Sequence, residues 1–493
     1  MQKLSEIQEK ETSLAEFQFI FPFSFKKGCE ITMFPFLKNQ HFKPFRLDHL
    51  EDENLYYGRF HVSHREMEAY FLAFTNQILF PHSEHQKGIQ RFSKALNLKA
   101  KLTSELVNIP FQIHSIDVTL CPYELGFITI RTELQDTKDL PLSVALEFAA
   151  CFRTLEPLRE REKDLQIDCG GRIFYQVEKF VFEFLFDGLA YYFEEKKEKG
   201  SYFQTFPYFE DQRMYVQTLI VLKQNEDIDF VDVYRASGLC GLTKEGKPFI
   251  SANNFEYIQD FLNRKGYLRW APNRYFVMEE HMFTCLTNED SEKVLQIAGQ
   301  MYGEFYYSLI LNLFHKIVLL KLAYTYAELN IQRDTKEMER LLYSINSFTA
   351  NYFSLELVSE SQSQDIFFHL RKAFSIELLH KIARQNVEGL FKYQENVNSK
   401  KDSLLLLILT LYSVIGEMFG MSLVTSDFAG KIKWGHIFTY NPIEYFALFL
   451  AISGLGVSLI LGIQGIYHWI LDLRNRKNWV KETVLSSTII KKE

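Results

Sequence analysis

The stretch that decides the fold comprises residues 403–424, with the sequence SLLLLILTLYSVIGEMFGMSLV. Its 22 residues carry one formal charge, that of Glu417. A helix of this length extends about 33 Å, which is enough to cross the hydrocarbon core of a bilayer. Residues 443–471 form a second apolar stretch, which is uncharged from 445 to 463. The sequence therefore predicts two membrane-spanning helices near the C-terminal end of the chain.

The polar and small residues of the first stretch recur at alternating steps of three and four, which places them on one stripe of a helix. The stripe consists of Ser403, Leu406, Thr410, Ser413, Glu417 and Gly420. A helix surrounded by lipid has no reason to collect polar groups on one side, so we predict that the stripe lines a bundle interior or an aqueous pore. Two alternatives remain open. The hydroxyl groups can bond to carbonyls of their own helix, and Glu417 can extend to the membrane interface.

The second stretch carries small residues at every fourth position, namely Gly454, Ser458 and Gly462. Such a stripe lets another helix approach closely, so these residues are predicted to pack against a neighbouring helix. Tyr467 and Trp469 follow where interfacial aromatic residues are expected.

Basic residues flank the outer ends of this pair of spans. They are Lys392, Lys400 and Lys401 before the first span, and Arg474, Arg476, Lys477 and Lys481 after the second. The connecting segment 425–442 has only Lys431 and Lys433, so the positive-inside rule places both termini in the cytosol. The N-terminus is too charged for a secretory signal. We therefore expect a multi-pass protein of the plasma (inner) membrane with about 400 cytosolic residues.

The composition fits a packed protein with a large core, because 47% of the 493 residues are hydrophobic and 46 of them are Phe. The formal net charge of −7 does not suggest a nucleic-acid binder. The six cysteines form no CxxC or Cys/His pattern, so zinc and redox motifs are excluded. We expect buried thiols in a reducing compartment.

Residues 1–288 read as a mixed α/β region. Alternating or apolar runs at 113–120, 127–132, 214–222 and 275–287 predict strands. Residues 142–155 and 174–195 predict helices. Strands interleaved with helices indicate an α+β cytosolic domain.

Two other features of this region suggest alternative sites. Residues 253–287 resemble a helix followed by a hairpin with its turn near Pro272, as in a winged-helix DNA reader, but the helix offers only Arg264 and Lys265 as bases. Four histidines lie near acidic residues, at His61, His64, His82 and His85. Their spacing matches no metal motif, so surface positions are the preferred interpretation.

The chain after residue 288 reads as helical. Residues 289–329 predict a long helix packed inside the protein, since His315, Lys316 and Lys321 are unfavourable in a membrane. A second helix is predicted over 334–357, and residues 361–424 lack proline, which predicts one helix continuing into the first span. The predicted layout is a cytosolic domain (1–288), a helical stalk (289–402), two spans (403–471) and a basic cytosolic tail (472–493).

This arrangement resembles the CorA-type divalent-cation transporters. The resemblance rests on residues 415–422 at the outer end of the first span and residues 474–479 after the second. It implies a homopentamer in the lipid bilayer whose first spans line a pore, with Mg²⁺ or a related cation as the transported or regulatory ion. From the residues themselves we expect no enzymatic activity, no other cofactor and no nucleic-acid partner.

The chain departs from the family in its selectivity motif. The family carries Gly-Met-Asn, whereas this sequence has Gly420, Met421 and Ser422. Mg²⁺ sheds its water reluctantly, so fixed oxygens around the hydrated ion select it, and the shorter hydroxyl of Ser422 changes that recognition. Glu417 offers a compensating ring of carboxylates. Two functions follow: conduction of a divalent cation, or a membrane-anchored oligomeric sensor or effector without selective Mg²⁺ transport. A third class, an anchored enzyme, lacks a recognisable catalytic constellation.

Overall fold

The computed structural model of the protein describes residues 7–82, 88–135, 140–155, 165–193, 213–329, 335–353, 358, 361–423, 441–443, 445–446, 449, 452–453 and 456. Within them the N-terminal part is mixed α/β and the C-terminal part is helical. Contacts divide the chain into two units, Met1–Arg384 and Gln385–Glu493.

A single mixed sheet organises the first unit. Its strands are β1 (Glu11–Ser24), β2 (Lys43–Pro44), β3 (Gln90–Thr103), β4 (Asn108–Cys121), β5 (Leu125–Leu134), β6 (Leu140–Pro141), β7 (Gln166–Cys169), β8 (Arg172–Phe174), β9 (Tyr215–Leu222), β10 (Gly266–Tyr267), β11 (Arg274–Met278) and β12 (Met282–Thr287). Their order is β10-β11-β12-β9-β1-β5-β4-β3-β7-β8, with β2 beside β3 and β6 beside β1. The β9–β12 pair is parallel, and the other described pairs are antiparallel.

The helices pack around this sheet and continue beyond it. They are α1 (Glu30–Asn39), α2 (Asp52–Leu55), α3 (His64–Tyr70), α4 (Ala73–Leu79), α5 (Leu142–Phe152), α6 (Val177–Lys179), α7 (Phe230–Gly238), α8 (Phe255–Lys265), α9 (Ser291–Tyr302), α10 (Glu304–Glu328), α11 (Thr335–Asn351), α12 (Ser361–Ala373) and α13 (Ile376–Leu423). Several begin at a side-chain cap. Asp229, for example, accepts a hydrogen bond from Asp232 N at the start of α7.

One face of the central strands is apolar and packs against α5. Between ring centroids, Phe17 of β1 lies 5.7 Å from Phe148, and Phe19 lies 4.7 Å from Phe152. Phe111 of β4 joins the same cluster, 5.1 Å from Phe148. All five rings are fully buried, and each contributes about 1.5–3 kcal/mol of hydrophobic stabilisation relative to exposure.

The opposite face of the same strands is polar and also buried. Glu16 and Gln18 alternate with the phenylalanines along β1, because successive side chains of a strand point to opposite faces. Helices α9 and α10 cover them. Tyr302 donates a hydrogen bond to Glu16 Oε2 at 2.6 Å, and the Tyr306 hydroxyl lies 2.9 Å from Thr129 Oγ1. The sheet therefore has two buried layers of different chemistry.

The predicted strands at 113–120, 127–132 and 214–222 are confirmed within β4, β5 and β9. The run at 275–287 is two strands, β11 and β12, joined by a turn. The helix predicted from residue 142 is confirmed as α5, which ends at Phe152.

The regular helix predicted over 174–195 is wrong. The chain there forms α6, a π-helix over Phe180–Leu185 and a 3₁₀ helix over Leu189–Tyr192. Gly188 separates the last two with φ +79°, a left-handed conformation that glycine adopts without a steric penalty.

The single helix predicted over 289–329 is instead two helices, α9 and α10, which meet at Gly303. By length and composition Ser291–Ala327 is apolar enough to cross a membrane, but 83% of its most apolar window is buried inside the protein. His315 is fully buried, and Lys321 Nζ donates to Tyr123 O at 2.9 Å. The expected packing of this segment inside the protein is thus confirmed.

The uninterrupted helix predicted over 361–424 is also wrong. It is divided into α12 and α13 at Ser375, which has φ +54°. Helices α9 to α12 lie in the unit that contains the sheet, as shown by the hydrogen bond from Gln18 Nε2 to Met301 O at 3.2 Å. The contacts divide the chain at residue 384, and the predicted domain layout with a boundary at 288 stays a prediction.

The second unit contains the longer part of α13, a helix of 48 residues in total. Large apolar side chains are exposed along it between residues 404 and 414. They are Leu404, Leu405, Leu406, Leu407, Leu409, Leu411 and Val414. An exposed apolar surface of this extent is unusual on a soluble monomer.

Candidate functional site

The residues predicted to line a pore lie on the C-terminal part of α13. Ser403, Thr410 and Ser413 are exposed there. Glu417 and Gly420 belong to the same helix by their backbone, but the side chain of Glu417 lies outside the described part of the structure. The predicted stripe therefore runs along one continuous helix.

The motif residues Met421 and Ser422 fall in the last turn of α13, which ends at Leu423. Their side chains are outside the described residues, as are Gly454, Ser458 and Gly462 of the second predicted span. The selectivity motif and the helix-packing stripe thus remain predictions from the sequence.

Thr410 illustrates one of the two alternatives for the stripe. Its hydroxyl donates to Leu406 O at 2.7 Å, a bond within the same helix. The hydroxyl group is therefore satisfied without an aqueous lumen, and Thr410 on its own is not evidence for a pore.

A second candidate site lies on the buried polar face of the sheet and consists of Glu16, His114 and Glu133, which we call the Glu-His-Glu site. Strand pairing explains how the carboxylates meet, because Glu16 of β1 lies directly opposite Glu133 of β5. Residues opposite each other in an antiparallel pair project from the same face. One ligand atom from each residue lies within 4.8 Å of the others.

A β-bulge brings His114 to the same face. The pairing of β4 with β5 shifts by one residue between Ile113 and Ser115, so His114 is the extra residue of the bulge. Ile113 stays on the apolar face. Ser115 lies on the polar face, where its hydroxyl oxygen accepts a hydrogen bond from Arg131 Nη1 at 3.2 Å. A bulge re-aims a side chain in this way and is often found next to functional sites.

The distances within the Glu-His-Glu site are short, but its hydrogen bonds are incomplete. His114 Nε2 lies 3.2 Å from Glu133 Oε2 and 3.8 Å from Glu16 Oε2. Both ring nitrogens and Glu16 Oε1 are buried and have no hydrogen-bond partner among the described residues. Buried polar atoms without partners are rare and costly.

The site perturbs the protonation of its members. Burial lowers the pKa of His114, but the carboxylates of Glu133 and Glu16 outweigh burial and raise that pKa to about 9. Burial raises the pKa of Glu16, against the opposing effect of His114. Perturbed groups of this kind cluster at functional sites.

A tight turn covers the imidazole ring. Gly58 has φ +63°, and a Cβ added there would lie 2.6 Å from His114 Cε1, so glycine is required on both grounds. The next residue, Arg59, is half exposed, and its Nη2 lies 3.4 Å from Glu133 Oε1. The side chain of Glu133 is 16% exposed, whereas that of Glu16 is 2% exposed. The site therefore opens to solvent on the Glu133 side.

Next to the Glu-His-Glu site is a buried ion cluster of two arginines and one aspartate. Arg91 Nε and Arg131 Nη1 lie 2.9 Å and 2.7 Å from Asp117 Oδ2. Arg91 Nη1 also donates to the hydroxyl groups of Tyr57 and Tyr307. The cluster fixes the strands and helices that surround the Glu-His-Glu site.

Sequence reasoning missed this face, although charged residues within otherwise apolar runs were a usable signal. Asp117 lies in IHSIDVTL and Arg131 in FITIRTEL, both within predicted strands. Such residues require buried partners. The sequence does not reveal strand register, however, so it could not show that Glu16 and Glu133 are opposite each other.

The four histidines considered from the sequence do not form one site in the described residues. His64 is buried, which corrects the surface prediction, and its Nδ1 lies 3.0 Å from Leu47 O. His61 is exposed beside Asn54, and His85 lies outside the described residues.

The helix and hairpin predicted over 253–287 are present, but they do not form a winged helix. Helix α8 precedes the β10–β11 hairpin, whose connecting loop contains Pro272. The hairpin continues into β12, which pairs with β9, so it belongs to the central sheet and does not project as a wing. Arg264 pairs with Asp260 at 2.8 Å.

Comparison with known proteins gives no relative: no family model, no curated protein and no solved structure matches the chain.

Proposed function

We propose that the protein is a CorA-like membrane protein that conducts a divalent cation, Mg²⁺ or a related ion, through an oligomeric pore lined by the first span. The observation that carries this proposal is the exposed leucine surface of α13 in combination with a polar stripe on the same helix. The leucines suit contact with lipid or with sister helices, and the stripe suits a pore.

The continuity of α13 supports the proposal. The helix runs without interruption from Ile376, in the unit that contains the sheet, to Leu423 in the predicted first span. In a CorA-like arrangement such a helix connects the cytosolic domain to the pore, and the second span, residues 443–471, would surround it.

In this proposal Glu417 and Gly420 of the stripe, and Ser422 of the selectivity motif, have distinct roles. Glu417 concentrates cations at the outer mouth of the pore through a ring of carboxylates. Ser422 contributes a hydroxyl group where the family has an amide, so hydrated ions meet a different set of oxygens. Gly420 permits close approach of the helices at the narrow end.

The replacement of Asn by Ser422 favours a second candidate function. A chain that keeps the two spans but has lost selective Mg²⁺ transport would serve as a membrane-anchored oligomeric sensor or effector. Its large sheet domain would then bind the signal or partner.

Divalent-cation flux into proteoliposomes distinguishes the two functions. We expect Mg²⁺ entry with the wild-type protein and a reduced rate with Glu417→Gln, because the carboxylate ring is neutralised. Gly420→Leu is expected to block conduction or assembly. Leu409→Val serves as a matched control, since Leu409 lies on the same helix but outside the stripe.

The Ser422→Asn variant assigns the cause of any inactivity. Absent wild-type flux that is restored by Ser422→Asn would show a scaffold that has lost selective transport. Absent flux in both proteins would contradict conduction and support the anchored sensor. Unchanged flux in Gly420→Leu would contradict its place on the stripe.

A further inference from the structure

The Glu-His-Glu site presents lone pairs that the protein itself does not use. Tyr302 donates to Glu16 Oε2, which orients that carboxylate and leaves Glu16 Oε1 buried without a partner among the described residues. Arg59 approaches Oε1 of Glu133, which leaves Oε2 directed toward His114. Three different strands thus bring two carboxylates and one imidazole together, with a ligand atom of each within 4.8 Å of the others.

The separations of these atoms match the coordination sphere of a metal ion. Imidazole nitrogen and carboxylate oxygen bind Zn²⁺ at about 2.0–2.2 Å, so two ligands of one tetrahedral ion lie roughly 3.4 Å apart. The two measured separations from His114 Nε2, 3.2 Å and 3.8 Å, bracket that value. At 3.8 Å the contact with Glu16 is too long for a hydrogen bond, whereas both separations suit two ligands of one ion.

We propose that Glu16, His114 and Glu133 bind one divalent first-row transition-metal ion, Zn²⁺ or Mn²⁺, inside the sheet domain. One imidazole and two carboxylates suit these ions, whereas Mg²⁺ prefers oxygen ligands alone. The site has three protein ligands, so a water molecule completes a tetrahedral sphere and fits on the Glu133 side, where the site opens to solvent.

The balance of charge on this face favours a cation. Arg91 and Arg131 are already paired with Asp117, which leaves Glu16 and Glu133 facing each other with one imidazole between them. The nearest additional cation is Arg59, which contacts the outer oxygen of Glu133 and is half exposed. Two carboxylates held this close repel each other unless a positive charge lies between them. The His114 ring supplies that charge when it is protonated, and a bound metal ion would replace its proton.

The surroundings also contain outer-sphere groups that metal sites require. The Tyr302 hydroxyl holds Glu16, and the Gly58 turn closes over the ring of His114. Such groups orient the ligands, and their removal typically weakens metal binding about 10–100-fold. The site is built on paired strands, which makes its geometry rigid.

The test uses the full-length protein in detergent, stripped of metal by a chelator. Zn²⁺ and Mn²⁺ are titrated by calorimetry, with Mg²⁺ for comparison, and bound ion is counted by elemental analysis. We expect one ion per chain in the wild type. Tyr302→Phe should weaken binding about 10–100-fold, and Glu16→Gln or Glu133→Gln should weaken it more.

Glu11→Gln is the matched control, because Glu11 lies on the same strand as Glu16 but pairs with Lys223. It should bind metal like the wild type. Thermal unfolding of each metal-free variant checks that it is folded. If Glu16→Gln does not fold, Glu133→Gln at the partly exposed position and Tyr302→Phe still test the site.

Pulsed electron paramagnetic resonance of bound Mn²⁺ supplies a direct readout of the ligand. We expect coupling to a histidine nitrogen in the wild type and its loss in His114→Gln. The proposal is overturned if the wild type binds no Zn²⁺ or Mn²⁺, or if binding is unchanged in Glu16→Gln and Glu133→Gln. None of these measurements involves transport, so the site stands or fails independently of the proposed pore.

Discussion

At the scale of single residues, Asp117 shows how strongly the buried face depends on its charges. Its carboxylate is fully buried and pairs with both Arg91 and Arg131. Asp117→Asn leaves two neighbouring guanidinium groups without their counter-ion, so we expect a loss of about 3–5 kcal/mol in the free energy of unfolding. Urea unfolding measures it.

The control for this prediction is Asp260→Asn, which breaks the exposed pair with Arg264 on α8. Exposed pairs contribute about 0–1 kcal/mol, so the control should change little. A similarly small effect of Asp117→Asn would show that the two arginines find other compensation.

His315 gives a pH dependence of known sign. Burial, with the charge of Arg371, lowers the pKa of His315 to about 3. The unfolded chain therefore takes up a proton below about pH 6.5 that the folded protein refuses. Above pH 6.5 this proton uptake does not occur and has no effect on stability. As the pH decreases from 6.5 toward 3, it favours the unfolded chain, so the free energy of unfolding falls.

Urea unfolding at pH 7 and pH 5 tests this sign. Between these pH values the free energy of unfolding of the wild type should fall by about 1–2 kcal/mol more than that of His315→Gln. The glutamine amide can still donate to Tyr352 O, which His315 Nε2 approaches at 2.9 Å. An equal loss in both proteins would mean that His315 is protonated when folded.

At the scale of elements, the break between α12 and α13 depends on one residue. Ser375 is exposed and has φ +54°, a conformation that disfavours β-branched side chains. Ser375→Val should therefore be less stable than Ser375→Gly by about 1–2 kcal/mol, measured by urea unfolding. Ser375→Gly should cause no such loss, and equal effects of the two changes would contradict the argument.

The elements also show what the sequence can and cannot indicate. Period-two alternation correctly predicts β4 and β5, but alternation looks the same whether the polar side faces water or a second buried layer. In this sheet α9 and α10 cover that side, so Glu16 is buried and Glu133 is only partly exposed. Likewise, helical periodicity predicted the segments around Gly303 and Ser375 but not their breaks, which depend on single backbone angles.

At the scale of the whole molecule, the division into two units predicts that the first unit folds without the second and does not itself bind membranes. Contacts place the complete sheet and its covering helices within residues 1–384. A fragment ending at Arg384 should fold cooperatively and remain in the aqueous phase, whereas the full chain should sediment with membranes and resist carbonate extraction. Far-UV circular dichroism and fractionation measure both.

The comparison of fragment and full chain also tests the membrane assignment. If the full chain is extracted into the aqueous phase with the fragment, the exposed leucines of α13 contact protein and not lipid. If the fragment aggregates, the division at residue 384 does not describe an independent folding unit.

The bulge in β4 has a consequence for insertions and deletions. Because His114 is the extra residue between Ile113 and Ser115, its deletion would leave every other pair of β4 and β5 in register. Deletion of Val118, within the regular part of the ladder, would instead move the residues on one side of it to the wrong face. On the β5 side the histidine can thus be gained or lost as a unit. On the β3 side, where Ala95 faces Ser115 and Leu98 faces Ile113, its loss would enlarge an existing irregularity.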